Sequence, residues 1–140
     1  MVGEKAMVDE SVLVSAPAAI VWQALVTTRG RAGWWPYLEL DARPGGRFEE
    51  RWRDASGAET VTRGEVVGLE PEQRLALEWA DEGWPAATRV ELRLRETGVG
   101  TVVRVLHSGW EALPDGTGLV EAHRQGWRQH LCDLRAYAEG

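Results

Sequence analysis

Residues 117–139 read TGLVEAHRQGWRQHLCDLRAYAE, and this stretch decides how the rest of the chain is arranged. Val120, His123, Trp127, Leu131, Leu134 and Ala138 recur at spacings of three and four, which predicts one stripe along one side of a helix. Leu119, His130 and Tyr137 flank the stripe. Glu121, Arg124, Arg128, Asp133 and Arg135 occupy the opposite side and favour water. At about 1.5 Å per residue such a helix is roughly 30 Å long, enough to cross a small domain. A long amphipathic helix must lay its stripe on something, and the sequence before it supplies a sheet.

Asp9–Val14 alternates weakly and reads as an edge strand. Ser15 reads as an N-cap, with Pro17 in the first turn of a helix from Ala16 to about Thr27. Ile20, Val21, Ala24 and Leu25 form its inner face, with Trp22 at the edge. Thr28 is placed to cap a second short helix, Arg29–Trp35, which Pro36 ends. Residues 47–53, 60–69, 74–80, 87–96 and 101–108 then alternate as strands, divided by Asp54–Gly57, Glu70–Glu72, Asp81–Pro85 and Thr97–Gly100. Gly64 and Gly68 mark bends or bulges. Turns of hairpin length make the sheet antiparallel and sequential. The expected fold is α+β: about six antiparallel strands, two short helices after the first strand, and one long C-terminal helix across the sheet, with space between them unless large side chains fill it.

The 140 residues suit a single domain with one core, assigned to residues 1–140, with residues 1–8 as a flexible N-terminus. A net charge of −6 disfavours nucleic acid and anionic membrane surfaces. Cys132 is the single cysteine, so no internal disulfide forms and a reducing compartment is expected. No apolar signal core or membrane-spanning run is seen, which gives the expectation of a cytoplasmic protein without membrane insertion. Eight of the eleven aromatic residues are tryptophan. They can serve as core, or they can wall a cavity for an aromatic or lipid-like ligand.

The ordered segments SAPAAIVWQALVT, GWWPYLELDARPGGRFEERWRD, VTRGEVVGLEPEQRLALEWAD, GTVVRVLHSGW and GWRQHLCDLRAYAE together resemble the family of proteins similar to the C-terminal domain of the activator of heat-shock protein 90 ATPase. That family belongs to the START-like (SRPBCC) superfamily, and the likeness runs over residues 9–139. The resemblance implies a helix-grip fold, a bent sheet gripping the C-terminal helix with a cavity between them. It implies no single activity, because the superfamily includes carriers, cyclases and proteins that sequester small molecules. A chaperone partner is implied by the family name alone. The full eukaryotic activator has a further N-terminal domain outside these 140 residues, which sets that expectation last.

By alternation Phe48, Glu50, Trp52, Trp79, Thr88 and His107 face inward from the sheet, and His123 and Trp127 from the helix. These eight are the expected ligand-binding residues. Phe48, Trp52, Trp79 and Trp127 are the expected walls, with Glu50 and His107 as polar handles. An inward carboxylate is costly unless paired. If Glu50 and His107 meet across the cavity, they can orient a polar group or act as acid and base. Equally, Glu50 can sit at the rim and His107 can simply end its strand. Trp34, Trp35 and Trp84 lie near the expected mouth, where they gate or seal it. His107, His123 and His130 lack the HxxxH or CxxC spacing of a metal site, and neither a metal nor a cofactor is expected. Neither a G-x-S-x-G elbow nor a usable carboxylate dyad is present. The Arg/Glu faces of the strands read as solvated surface or, in part, as a homodimer contact. Three functions follow: a carrier of a hydrophobic or aromatic small molecule, a cyclase or hydratase using Glu50 and His107, or a chaperone-binding protein.

Overall fold

A computed structural model describes residues 7–140. The elements run β1 (Val8–Val14), α1 (Ala18–Val26), α2 (Thr28–Ala32), β2 (Leu38–Leu40), β3 (Arg47–Arg53), β4 (Glu59–Glu70), β5 (Arg74–Asp81), β6 (Thr88–Thr97), β7 (Gly100–Ser108), a 3-10 turn (Trp110–Ala112) and α3 (Gly116–Ala138). All seven strands form one antiparallel sheet in the order β1-β7-β6-β5-β4-β3-β2. The strand beyond the expected six is β2, three residues long and too short to show alternation. A register shift between Val66 and Gly68 puts a bulge in β4 beside Gly68, whereas Gly64 pairs in regular register. Among the described residues no helix is long and apolar enough to cross a membrane.

The stripe of α3 is buried as its spacing requires: Val120, Trp127, Leu131 and Leu134 all sit in the core. The backbone of α3 comes closest to β1, α1 and the 3-10 turn, and stands off β3, β4 and β5. Arg128 pairs with Glu10 and Arg124 reaches the carbonyl of Met7, which fastens the helix to that edge. The helix is thus held at one side of the sheet, and a gap remains at the other.

Several local expectations are corrected. Helix α1 begins at Ala18 after Pro17, and Ser15 does not cap it. The Ala18 N–H donates instead to Glu96 Oε1 at 2.7 Å, so a carboxylate from β6 serves the positive end of the helix. Thr27, not Thr28, caps α2, accepting from the Gly30 N–H at 2.9 Å. Ile20 is 51% exposed while Trp22 is buried, so the inner face of α1 is turned from the one expected. Asp81 lies within β5, not in a loop. As for residues 1–8, residues 1–6 lie outside the described residues, while Val8 is fully buried and pairs with His107.

Candidate ligand-binding site

The site is built from rows of residues that cross the sheet. Phe48, Gly64 and Trp79 are partners across β3, β4 and β5, and Trp79 is opposite Thr88 of β6. Gly64 has a reason to be bare: a Cβ there would lie 1.8 Å from the Glu78 carbonyl oxygen and 2.8 Å from the Phe48 ring. Phe48 and Trp79 therefore meet over it, their ring centres 5.3 Å apart. The next row is Glu50, Thr62 and Asp81, again opposite one another across β3, β4 and β5. An aromatic row thus lies beside a polar one, both beneath the part of α3 that stands off the sheet.

Between the polar row and the helix lies a cavity of about 340 Å³. That is the lower end of the range, roughly 300–1,000 Å³, typical of small-molecule sites. Trp52, Trp79 and Trp127 supply its apolar walls, and Glu50, Asp81, His123 and His130 its ionisable groups. On α3 the lining residues Ala122 and Gly126 are four apart, hence on one face, and are nearly side-chain-free. A Cβ placed on Gly126 meets nothing within 4 Å. The gap exists because the helix presents its smallest residues where the sheet presents polar ones.

The polar groups are linked. Trp52 Nε1 donates to Thr62 Oγ1 at 2.9 Å, and that hydroxyl donates to Asp81 Oδ1 at 2.5 Å. Asp81 Oδ2 lies 3.5 Å from His123 Nε2, an attractive contact when that nitrogen carries a proton. His123 Nδ1 donates to the Leu119 carbonyl at 2.9 Å, since a carbonyl only accepts. Glu50 Oε2 accepts from Trp35 Nε1 at 2.6 Å. Burial pushes the Glu50 carboxyl above its ordinary range; the Trp35 bond pulls it back, and the nearby Asp81 charge raises it further.

Of the eight residues expected at the site, Glu50, Trp52, Trp79, His123 and Trp127 line the cavity. Phe48, Thr88 and His107 do not; they are buried behind it. His107 is 0% exposed, and both its ring nitrogens are committed. Trp127 Nε1 can only donate, so His107 Nδ1 accepts from it, at 3.1 Å. The proton therefore sits on Nε2, which donates to Thr88 Oγ1 at 2.7 Å, and that hydroxyl passes its own proton to the Trp79 carbonyl at 2.8 Å. Burial, with a smaller contribution from His123, pushes the His107 ring down to about 2. His107 is thus a neutral brace that locks Trp79 and Trp127 in place. The structure does not bring Glu50 and His107 together as an acid–base pair.

Residues missed by alternation complete the site. Trp35 backs the lining residues: it is buried, stacks on His130 with ring centres 4.0 Å apart, and meets Trp127 edge-on at 5.8 Å. Trp34 is tied to the Ala24 carbonyl, and Trp84 packs on Trp110 and His123. None of the three lines the cavity; Trp35 and Trp84 pack against residues that do. Thr62 was findable, because the 54–57 turn fixes the register that sets it opposite Glu50.

A sheet gripping one long helix, with a walled cavity between them, defines a START-like helix-grip protein. The chain belongs to the family described as Activator of Hsp90 ATPase homolog 1-like protein, which matches residues 15–139. No curated protein matches it. Among solved structures, DynU16 of the dynemicin biosynthetic locus is 25% identical, with a TM-score of 0.79 over 97% of this chain and 48% of its own. The chain therefore spans about half the length of DynU16. CV1439 from Chromobacterium violaceum is 23% identical with a TM-score of 0.79, covering 96% of this chain and 98% of that one. The Aha1 protein of Colwellia psychrerythraea, a dimer in solution, is 21% identical with a TM-score of 0.74, covering 95% of this chain and 96% of its own.

Proposed function

We propose that this protein binds a small hydrophobic or aromatic molecule between β3–β5 and α3. The observation that carries the reading is the cavity itself: it is walled by Trp52, Trp79 and Trp127 and left open where α3 has Ala122 and Gly126. Burial drives such binding. At about 25 cal/mol per Å², covering a few hundred Å² of ligand yields several kcal/mol before ordering costs. The braced tryptophans are held in advance, which lowers those costs. A proton-transfer role for Glu50 with His107 has no support in their placement.

Gly126 gives the test. Gly126→Phe directs a ring into open space from a position where glycine is a poor helix former, so the variant is expected to fold. The neutral fluorophore N-phenyl-1-naphthylamine should bind the parent saturably, at one per chain, and bind the variant at least about tenfold more weakly. Equal binding by both would place the ligand elsewhere. Absence of binding by the parent would turn attention to the protein-interaction reading. The Colwellia relative's dimeric state supports a homodimer reading here, which sedimentation velocity checks directly.

A further inference from the structure

The cavity has an uneven set of charges. Of its ten lining residues two are carboxylates, Glu50 and Asp81, and none is lysine or arginine. Both oxygens of Asp81 have neighbours, Thr62 on one and His123 on the other. Glu50 is served on Oε2 alone; among the described residues none donates to its Oε1. Glu50 is half-buried, and its Oε1 faces the cavity space, where a ligand can reach it. Even with His123 charged, ionised Glu50 and Asp81 leave the cavity with a net negative charge. The same space is lined by three tryptophans, a residue type whose electron-rich ring faces attract cations as well as apolar surface.

We propose that the ligand is a cation: an aromatic or alkyl ammonium with its charge held between Glu50 and Asp81 and its apolar body on Trp52, Trp79 and Trp127. This rests on the binding reading above and narrows it. A cation supplies what the protein leaves out, a partner for Glu50 Oε1 and a counter-charge for the carboxylate row. Burial and the Asp81 charge both raise the Glu50 carboxyl, and a cation beside it draws it back down. Cation affinity therefore rises with pH as Glu50 ionises. The other titratable groups facing the space are Asp81 on β5 and His123 and His130 on α3. Protonation of any of them weakens cation binding, so all act in the same direction. A neutral ligand accepting a hydrogen bond from protonated Glu50 would show the opposite slope.

Calorimetric titration with three probes of one shape separates the cases: 1-methylquinolinium (a cation), 1-methylnaphthalene (its neutral isostere) and 1-naphthoate (an anion). The cation should bind about tenfold or more tighter than the isostere, with naphthoate weakest, and its lead should widen as pH rises and Glu50 ionises. In Glu50→Gln, which keeps an oxygen for Trp35 Nε1, the ratio of cation to isostere should fall toward unity. Equal affinity for cation and isostere, or a ratio unchanged in Glu50→Gln, overturns the proposal while the binding reading stands. Binding of none of the three overturns both.

Discussion

Acidification from pH 7 to pH 5 should remove up to about 4 kcal/mol of folding stability, a large share of the roughly 5–15 kcal/mol of an ordinary domain. Two buried histidines are responsible. His107 is pushed down to about 2 and His130 to about 4, in both cases chiefly by burial. Each ring is neutral in the folded state, whereas the unfolded chain takes up its proton near the ordinary value of 6.5. Below 6.5 the unfolded state therefore binds more protons, and stability falls as pH falls. Both rings contribute down to about 4, and His107 alone contributes from there to about 2. At about 1.4 kcal/mol per proton per pH unit, two rings over 1.5 units give the figure quoted. Glu50 works the other way. Its raised carboxyl takes up a proton in the native state first, so it returns part of the loss on acidification.

Urea unfolding at a series of pH values measures this directly. His130→Phe isolates one ring. Phenylalanine keeps the stack on Trp35 and removes a buried nitrogen, Nδ1, that has no partner. The variant should be more stable at pH 7 by about 1 kcal/mol and should lose stability about half as steeply between pH 6.5 and pH 4. A flat profile in the parent would mean that the rings are far more accessible than their packing indicates.

The sequence carried the architecture because periodicity survives translation into structure. The 3.6-residue stripe from Val120 to Leu134 and the alternation in β3, β6 and β7 both report which side is buried. Of the four aromatic walls expected from the same rule, Trp52, Trp79 and Trp127 border the cavity and Phe48 does not. What alternation cannot report is depth along a strand. Glu50 and His107 both face inward, yet one lies beside open space and the other is sealed behind Trp127. Asp81 was lost for a different reason: Asp81-Glu82-Gly83 has the composition of a turn, and only pairing with Thr62 keeps it in the strand. Trp35 comes from a connection with no period at all, held by hydrogen bonds that composition does not encode.

Those bonds set the second large effect, Arg31→Met, which should cost about 3–5 kcal/mol. An arginine in a five-residue helix reads as a solvated charge, but Arg31 is only 2% exposed. Its guanidinium donates to three carbonyls: Leu25 at 3.0 Å, Leu40 at 3.2 Å and, more weakly, Leu38 at 3.4 Å. It thereby ties the end of α1 to β2 across the intervening loop. Burial lowers its pKa from the ordinary arginine value, a measure of how much water the group has given up. Methionine fills similar volume but donates nothing, so the buried carbonyls lose their partner. Lysine restores the charge without the fork, and Arg31→Lys should recover less than half of the loss. The effect should reach the cavity as well. The Arg31 carbonyl accepts the Trp34 and Trp35 N–H groups at 3.1 and 2.7 Å, and Trp35 in turn holds Glu50. Loosening this segment should weaken probe binding in Arg31→Met even under conditions where the variant remains folded. Full stability in Arg31→Met, measured by urea unfolding at pH 7, would show that the carbonyls find other donors and that Arg31 is not the clamp.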